Sequence, residues 1–205
     1  RLWRYHKPAG LVTSARDEQG RPTVFDRLPP NLPRVVSVGR LDLASEGLLL
    51  LTNDGGLKRR LELPSTGWLR RYRVRVRGTP RPDTLAPLER GIEVEGERFQ
   101  PMQVALDRQQ GANAWLTVGL REGRNREIRR AMEAVGLEVN RLIRVSYGPF
   151  QLGDLAAGAV DEVRPRVLRD QLGLAETPGS APRAGKPAPP GGPGARPGQR
   201  SGRRG

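Results

Sequence analysis

Cysteine is absent from this 205-residue chain, which therefore holds neither a disulfide frame nor a thiolate nucleophile. Histidine occurs once, as His6, so the several His or Cys ligands of a catalytic zinc are not on hand. No Ser-His-Asp set can be built around that residue either. No apolar run reaches the roughly 18 residues of a membrane-spanning helix, and no signal-peptide pattern opens the chain. A cytoplasmic protein without a membrane partner is expected. There is no P-loop, no Gly-rich segment placed after a strand as a methyl-donor site would need, and no fixed-period repeat.

What is abundant is positive charge. The net charge is +14, with 36 Lys and Arg against 22 Asp and Glu, so an anionic partner is the first expectation, and nucleic acid fits better than a lipid surface. Part of that charge sits at the C-terminus, where residues 176–205 carry six basic residues against Glu176. The same segment holds seven prolines and eight glycines and no Leu, Ile, Val or aromatic residue. It cannot bury enough apolar surface to offset the entropy of ordering, so residues 173–205 read as a disordered basic tail and residues 1–172 as the folded domain. The folded part is basic in its own right.

Within residues 1–172, short strands and helices intermix without the regular alternation of a doubly wound sheet, which favours an α+β fold with a largely antiparallel sheet. Strands are predicted at 2–6, 35–38, 98–106, 114–121 and 138–147. Leu48, Leu49, Leu50 and Leu51, bounded by turn residues, read as a fully buried strand. Residues 71–77 alternate strictly, with Tyr72, Val74 and Val76 on one face and four arginines on the other. A helix is expected over 54–63, capped by Asn53 or Asp54 and ended by Pro64. Another is expected over 125–135, with Ile128, Met132 and Val135 as its apolar face. Residues 84–90 are helical in pattern, against the presence of Pro87.

One segment has the character of a site: Gly39-Arg40-Leu41-Asp42-Leu43-Ala44-Ser45-Glu46-Gly47, leading into the leucine strand. A charged loop entering a buried strand can hold a reactive carboxylate on a rigid support. On spacing alone, Asp42 reads equally well as a turn aspartate whose side chain satisfies backbone donors. Asp42, Glu46 and Asp54 also permit a metal-dependent nuclease, and the charge permits a non-catalytic RNA-binding or ribosome-assembly module.

The segment Gly39-Arg40-Leu41-Asp42 with its following strand resembles the catalytic segment of the RsuA/RluB family of ribosomal RNA pseudouridine synthases. Further matches follow in the same order: Lys7-Pro8-Ala9-Gly10, the stretch Gly20-Arg21-Pro22-Thr23-Val24-Phe25-Asp26-Arg27-Leu28-Pro29, then Tyr72-Arg73-Val74, and Glu122-Gly123-Arg124-Asn125-Arg126-Glu127-Ile128-Arg129-Arg130. The likeness covers roughly residues 5–169, and two of these segments look most like the large-subunit, RluB branch. It implies a curved mixed sheet with flanking helices and a central RNA-binding cleft. It implies a monomer that converts uridine to pseudouridine in ribosomal RNA, here 23S, without cofactor or metal. Members commonly carry a small N-terminal S4-type RNA-binding domain; this chain begins almost at the catalytic segment, so that module is expected to be absent.

Carried over residue by residue, the resemblance makes Asp42 the catalytic carboxylate, Arg129 its cationic partner and Tyr72 a ring for stacking on the flipped uracil. It favours Arg40 as support for the vacated stack, with a plain phosphate contact as the competing account. Lys7 is expected to shape a turn beneath the site and to be available to phosphate. Arg124 and Arg126 are expected to contact RNA, with the amides around Gly123-Arg124-Asn125 holding a phosphate at the helix start. Arg73 and Arg75, on the cationic strand face, are expected to contact RNA as well.

Overall fold

The computed structural model describes residues 1–173; the tail expected from residue 173 onward lies, apart from Gly173, outside the described residues. Among these, strands β1 (Leu2–Lys7), β2 (Val36–Val38), β3 (Glu46–Thr52), β4 (Arg70–Arg77), β7 (Gln103–Gln110), β8 (Asn113–Leu120), β9 (Glu138–Tyr147), β10 (Phe150–Gln151) and β11 (Val160–Glu162) form one mixed sheet. Its order is β11-β1-β3-β9-β4-β8-β7, with β2 on β3 and β10 on β9. A separate hairpin joins β5 (Ile92–Val94) to β6 (Glu97–Phe99). The helices are α1 (Gly55–Glu62), α2 (Pro82–Arg90), α3 (Glu127–Ala134) and α4 (Pro165–Leu172).

Strand β3 explains why the sheet has two packed faces. All four leucines are fully buried, and the period of two sends Leu48 and Leu50 into one cluster, Leu49 and Leu51 into another. The first cluster includes Leu61 of α1 and Leu168 and Leu172 of α4; the second includes Leu11, Val24 and Leu41 from the long loops. At about 1.5–3 kcal/mol for each buried leucine, this strand anchors that half of the molecule.

The other half is built on β4, where Tyr72, Val74 and Val76 are buried as the alternation requires. They join Leu85 and Leu88 of α2 and Ile128, Ala131 and Met132 of α3 in a third cluster. Two parallel strands, β3 and β9, weld the halves at Glu46↔Ile143 and Gly47↔Arg144. A Cβ at Gly47 would lie 2.2 Å from the Arg144 carbonyl oxygen, and its φ of +105° is itself glycine's territory. Gly47 is therefore required for the weld.

Asp54 caps α1 through bonds from the Gly56 (2.8 Å) and Leu57 (3.1 Å) amides. The helix ends before Pro64, as expected. Helix α2 tolerates Pro87 because Leu85 and Leu88 fix its buried face. The continuous strand expected over 98–106 is two strands instead. Pro101 has no N–H to give a ladder, and the Met102 amide turns to the Leu88 carbonyl (2.9 Å), so the chain leaves the hairpin before joining β8.

Candidate active site

Loop 39–45 is tied down at several points before it enters β3. Thr13 Oγ1 donates to the Leu41 carbonyl (2.8 Å), and the Gly39 amide donates to Glu62 Oε1 (2.7 Å). From beneath, Lys7 Nζ donates to the carbonyls of Ser45 (2.7 Å), Pro8 (3.0 Å) and Leu43 (3.3 Å). Burial pulls the Lys7 ammonium down to about 8, against the pull of Glu46 and Asp42. Lys7 is fully buried, so the expected phosphate contact is corrected: it is an internal strut of this loop. A lysine at the end of a strand reads as solvated, and only the carbonyls converging on it reveal otherwise.

The turn at Asp42 is closed by the backbone, with the Ser45 amide donating to the Asp42 carbonyl (3.0 Å). The carboxylate is not spent on it. It stands 32% exposed, with Arg126 Nη1 at 3.9 Å and Arg129 Nε at 4.0 Å across a cleft of about 780 Å³. Both arginines come from the start of α3, which packs through Ile128, Ala131 and Met132. Arg129 also donates to Ser45 Oγ (3.3 Å), so the two sides of the cleft are bridged. Burial and the charge of Arg126 lower the Arg129 pKa, and Asp42 opposes them. Its Nε is buried without a hydrogen-bond partner among the described residues.

Tyr72 lines the same cleft and belongs to the core cluster of β4, so its burial and its access to the cleft coexist. Arg40 is exposed at the rim. Arg124 lines the cleft while half-engaged with Glu122 (3.3 Å) and Glu97 (3.7 Å). Arg130, next to Arg129, turns away to Glu97 (3.0 Å) and lies over the Phe99 ring. Arg73 and Arg75 are not brought to the cleft: they occupy the opposite face of β4 from Tyr72. At the α3 start, where a phosphate cradle was expected, the Arg124 amide is already bonded to the buried Glu127 carboxyl (3.3 Å). Glu46 pairs with Arg141 (3.1 Å) and Asp54 caps α1, so the trio Asp42, Glu46 and Asp54 does not converge.

Three cleft residues escaped sequence reasoning. Ser45 bonds Arg129; Arg144, 3% exposed, donates from Nε to the Leu48 carbonyl (2.8 Å) and lies across the Tyr147 ring. Glu127 is held up at about 7, chiefly by burial and then by the charge of Glu122. Arg144 alone left a signal, sharing the period-two face of Leu142 in β9.

The profile of the RNA pseudouridylate synthase family matches residues 1–134. An RNA pseudouridine synthase of Rickettsia bellii is 48% identical over 169 residues, covering 82% of this chain and 73% of that protein. Ribosomal large subunit pseudouridine synthase B of Yersinia pestis is 47% identical over 153 residues, covering 74% of this chain and 48% of that protein. A crystal structure of a pseudouridylate synthase superposes with a TM-score of 0.75 at 25% identity, over 83% of this chain and 73% of that one. Sequence kinship over most of the described residues and a shared architecture place this chain in the RNA pseudouridylate synthase family.

Proposed function

We propose that the chain isomerises a uridine of large-subunit ribosomal RNA to pseudouridine, with Asp42 as the catalytic carboxylate. The observation that carries the reading is the Asp42 side chain itself, left out of its own turn and facing Arg126 and Arg129 across the cleft. The isomerisation breaks the bond from ribose C1′ to uracil N1, forms one from C1′ to C5, removes the C5 proton and leaves a proton on N1. A carboxylate serves such a sequence as nucleophile or as electrostatic and basic partner. The Asp42 loop is held from below by Lys7 and from the side by Thr13, so the group meets its substrate in a fixed place.

The uridine leaves its stack, at a cost of a few kcal/mol, to enter the cleft. Tyr72 offers the ring against which the uracil packs, a contact worth about 1–3 kcal/mol. Arg40 at the rim supports the vacated stack, and Arg124 and Arg126 hold flanking phosphates. Arg129, held by Ser45, sets a cation beside the carboxylate. The large-subunit assignment is supported by the synthase B relative.

The decisive experiment is Asp42→Asn, assayed on ribosomal RNA by carbodiimide treatment and primer extension. RNA binding stays within a few-fold of wild type while pseudouridine disappears. Full modification by this variant overturns the role given to Asp42, and absence of pseudouridine with the wild-type chain leaves it a binding module. Mapping pseudouridines in both subunit RNAs of a deletion strain tests the subunit choice, and a loss confined to the small subunit refutes it.

A further inference from the structure

The face of β4 turned away from the cleft carries Arg71, Arg73, Arg75 and Arg77 in one row. Alternate residues of a strand stand about 6.8 Å apart, so the row is about 20 Å long. Helices α2 and α3 pack against the other face, with Val74 and Val76, and Arg71, Arg73 and Arg77 are exposed. Among the described residues none of the four has an acid within 4.0 Å, and acids close by are engaged elsewhere. Asp107 accepts from Thr117 (2.8 Å) and Glu46 from Arg141 (3.1 Å); Glu138, in register with Arg77, is the one facing acid that stays open. Arg108, in register with Trp115 on β8, adds a further cation at the edge of the row.

Trp115 decides what kind of ligand such a face can take. Its ring is covered by two guanidinium groups, Arg73 at 4.7 Å and Arg75 at 5.7 Å, and it is 7% exposed. It therefore offers no open surface for stacking an unpaired base. What it does is hold the two guanidinium groups by cation–π contact, with Arg75 Nε further fixed on Asn140 Oδ1 (2.6 Å). Charge without base-stacking or base-edge readout suits a phosphate backbone recognised by shape, as in duplex RNA.

We propose that this face docks the phosphate backbone of an RNA duplex outside the segment that carries the target uridine. The inference rests on the function proposed above, because it needs an RNA larger than the cleft can hold. Arg73 and Arg75 then act remote from the chemistry, as a second handle on the substrate.

The test uses the full chain, a 20-base-pair RNA duplex of arbitrary sequence, and an oligouridylate. Binding of each is followed by fluorescence anisotropy from 50 to 200 mM salt for wild type, R73Q/R75Q and R71Q/R77Q. Each double variant is expected to weaken duplex binding about tenfold at the lower salt and to reduce the salt slope by roughly 2, one unit per lost phosphate contact. Oligouridylate binding stays within twofold. Unchanged duplex affinity and slope would show a merely solvated face, and equal loss for both probes would show a single-strand surface; either result overturns the proposal. Should R73Q/R75Q fail to fold with Trp115 uncovered, R71Q/R77Q decides alone. Pseudouridine formation on ribosomal RNA by the wild-type chain, assayed beside them, separates the readings: its absence sinks the function, whereas an unchanged duplex slope in the row variants sinks only the docking face.

Discussion

Replacing Lys7 by Met keeps the length of the side chain and removes its charge and donors. Of the three carbonyls that Nζ serves, that of Leu43 keeps a second partner in the Gly10 amide (2.8 Å), while the Lys7 bond is the one found for those of Ser45 and Pro8. Two orphaned carbonyls cost about 1–3 kcal/mol each, and relief from burying a charge offsets part of that, leaving a net loss of about 2 kcal/mol at pH 7. The pH dependence is more diagnostic. With the folded ammonium at about 8 and the unfolded one at 10.5, only the unfolded chain holds this proton between those values. On the account of Lys7, wild-type stability therefore rises with pH across that window, by at most about 3 kcal/mol. Urea unfolding of wild type and Lys7→Met at pH 7, 8, 9 and 10 should give a stability gap that widens above pH 8. Pseudouridine formation by wild type should fall over the same window, since the positive charge behind Asp42 is lost. A gap that stays constant with pH, or a variant as stable as wild type at pH 7, refutes the strut.

Arg129→Met should reduce pseudouridine formation at least about 10²-fold with RNA affinity nearly unchanged, because it removes the half-buried cation beside Asp42; a primer-extension time course checks this. Gly47→Ala should fail to give a cooperative thermal melt or should lose several kcal/mol, since its Cβ has only 2.2 Å to the Arg144 oxygen. Glu127, raised from 4.5 to about 7, contributes stability that is whole below pH 4.5 and is lost as the pH climbs through 7. Glu127→Gln should abolish that slope in denaturation curves taken from pH 5 to 8.

The fold was legible where a pattern is local. Four leucines between turn residues can only be buried on both sides, and β3 is; the strict alternation of residues 71–77 and the extent of β9 likewise need no distant information. The break at Pro101 was written in the chain, but its effect depended on the Leu88 carbonyl waiting for the Met102 amide. Asp42, Tyr72 and Arg129 were singled out by an ordered set of motifs; the structure lines one cleft with Asp42 and Tyr72 and sets Arg129 Nε 4.0 Å from the Asp42 carboxylate. Lys7, Glu127 and Arg144 behave otherwise than their residue types suggest because each is buried, with partners up to 96 positions away. No composition or period encodes those contacts.

The two sides of the cleft belong to different halves of the sheet, and this makes the β3–β9 weld part of the site. Asp42 enters from the β3 side, whereas Tyr72 and Arg129 come from the β4–α3 side. Their spacing is set where Gly47 lies against Arg144, whose guanidinium reaches back to the Leu48 carbonyl. A methyl group at Gly47 must push β9 away, and Arg144 loses its bond with the same movement. The Asp42-to-Arg129 distance of 4.0 Å then opens along with the weld. A small residue five positions after Asp42 thus governs the geometry of the cleft as firmly as the charged residues do, because it fixes how closely the two halves approach.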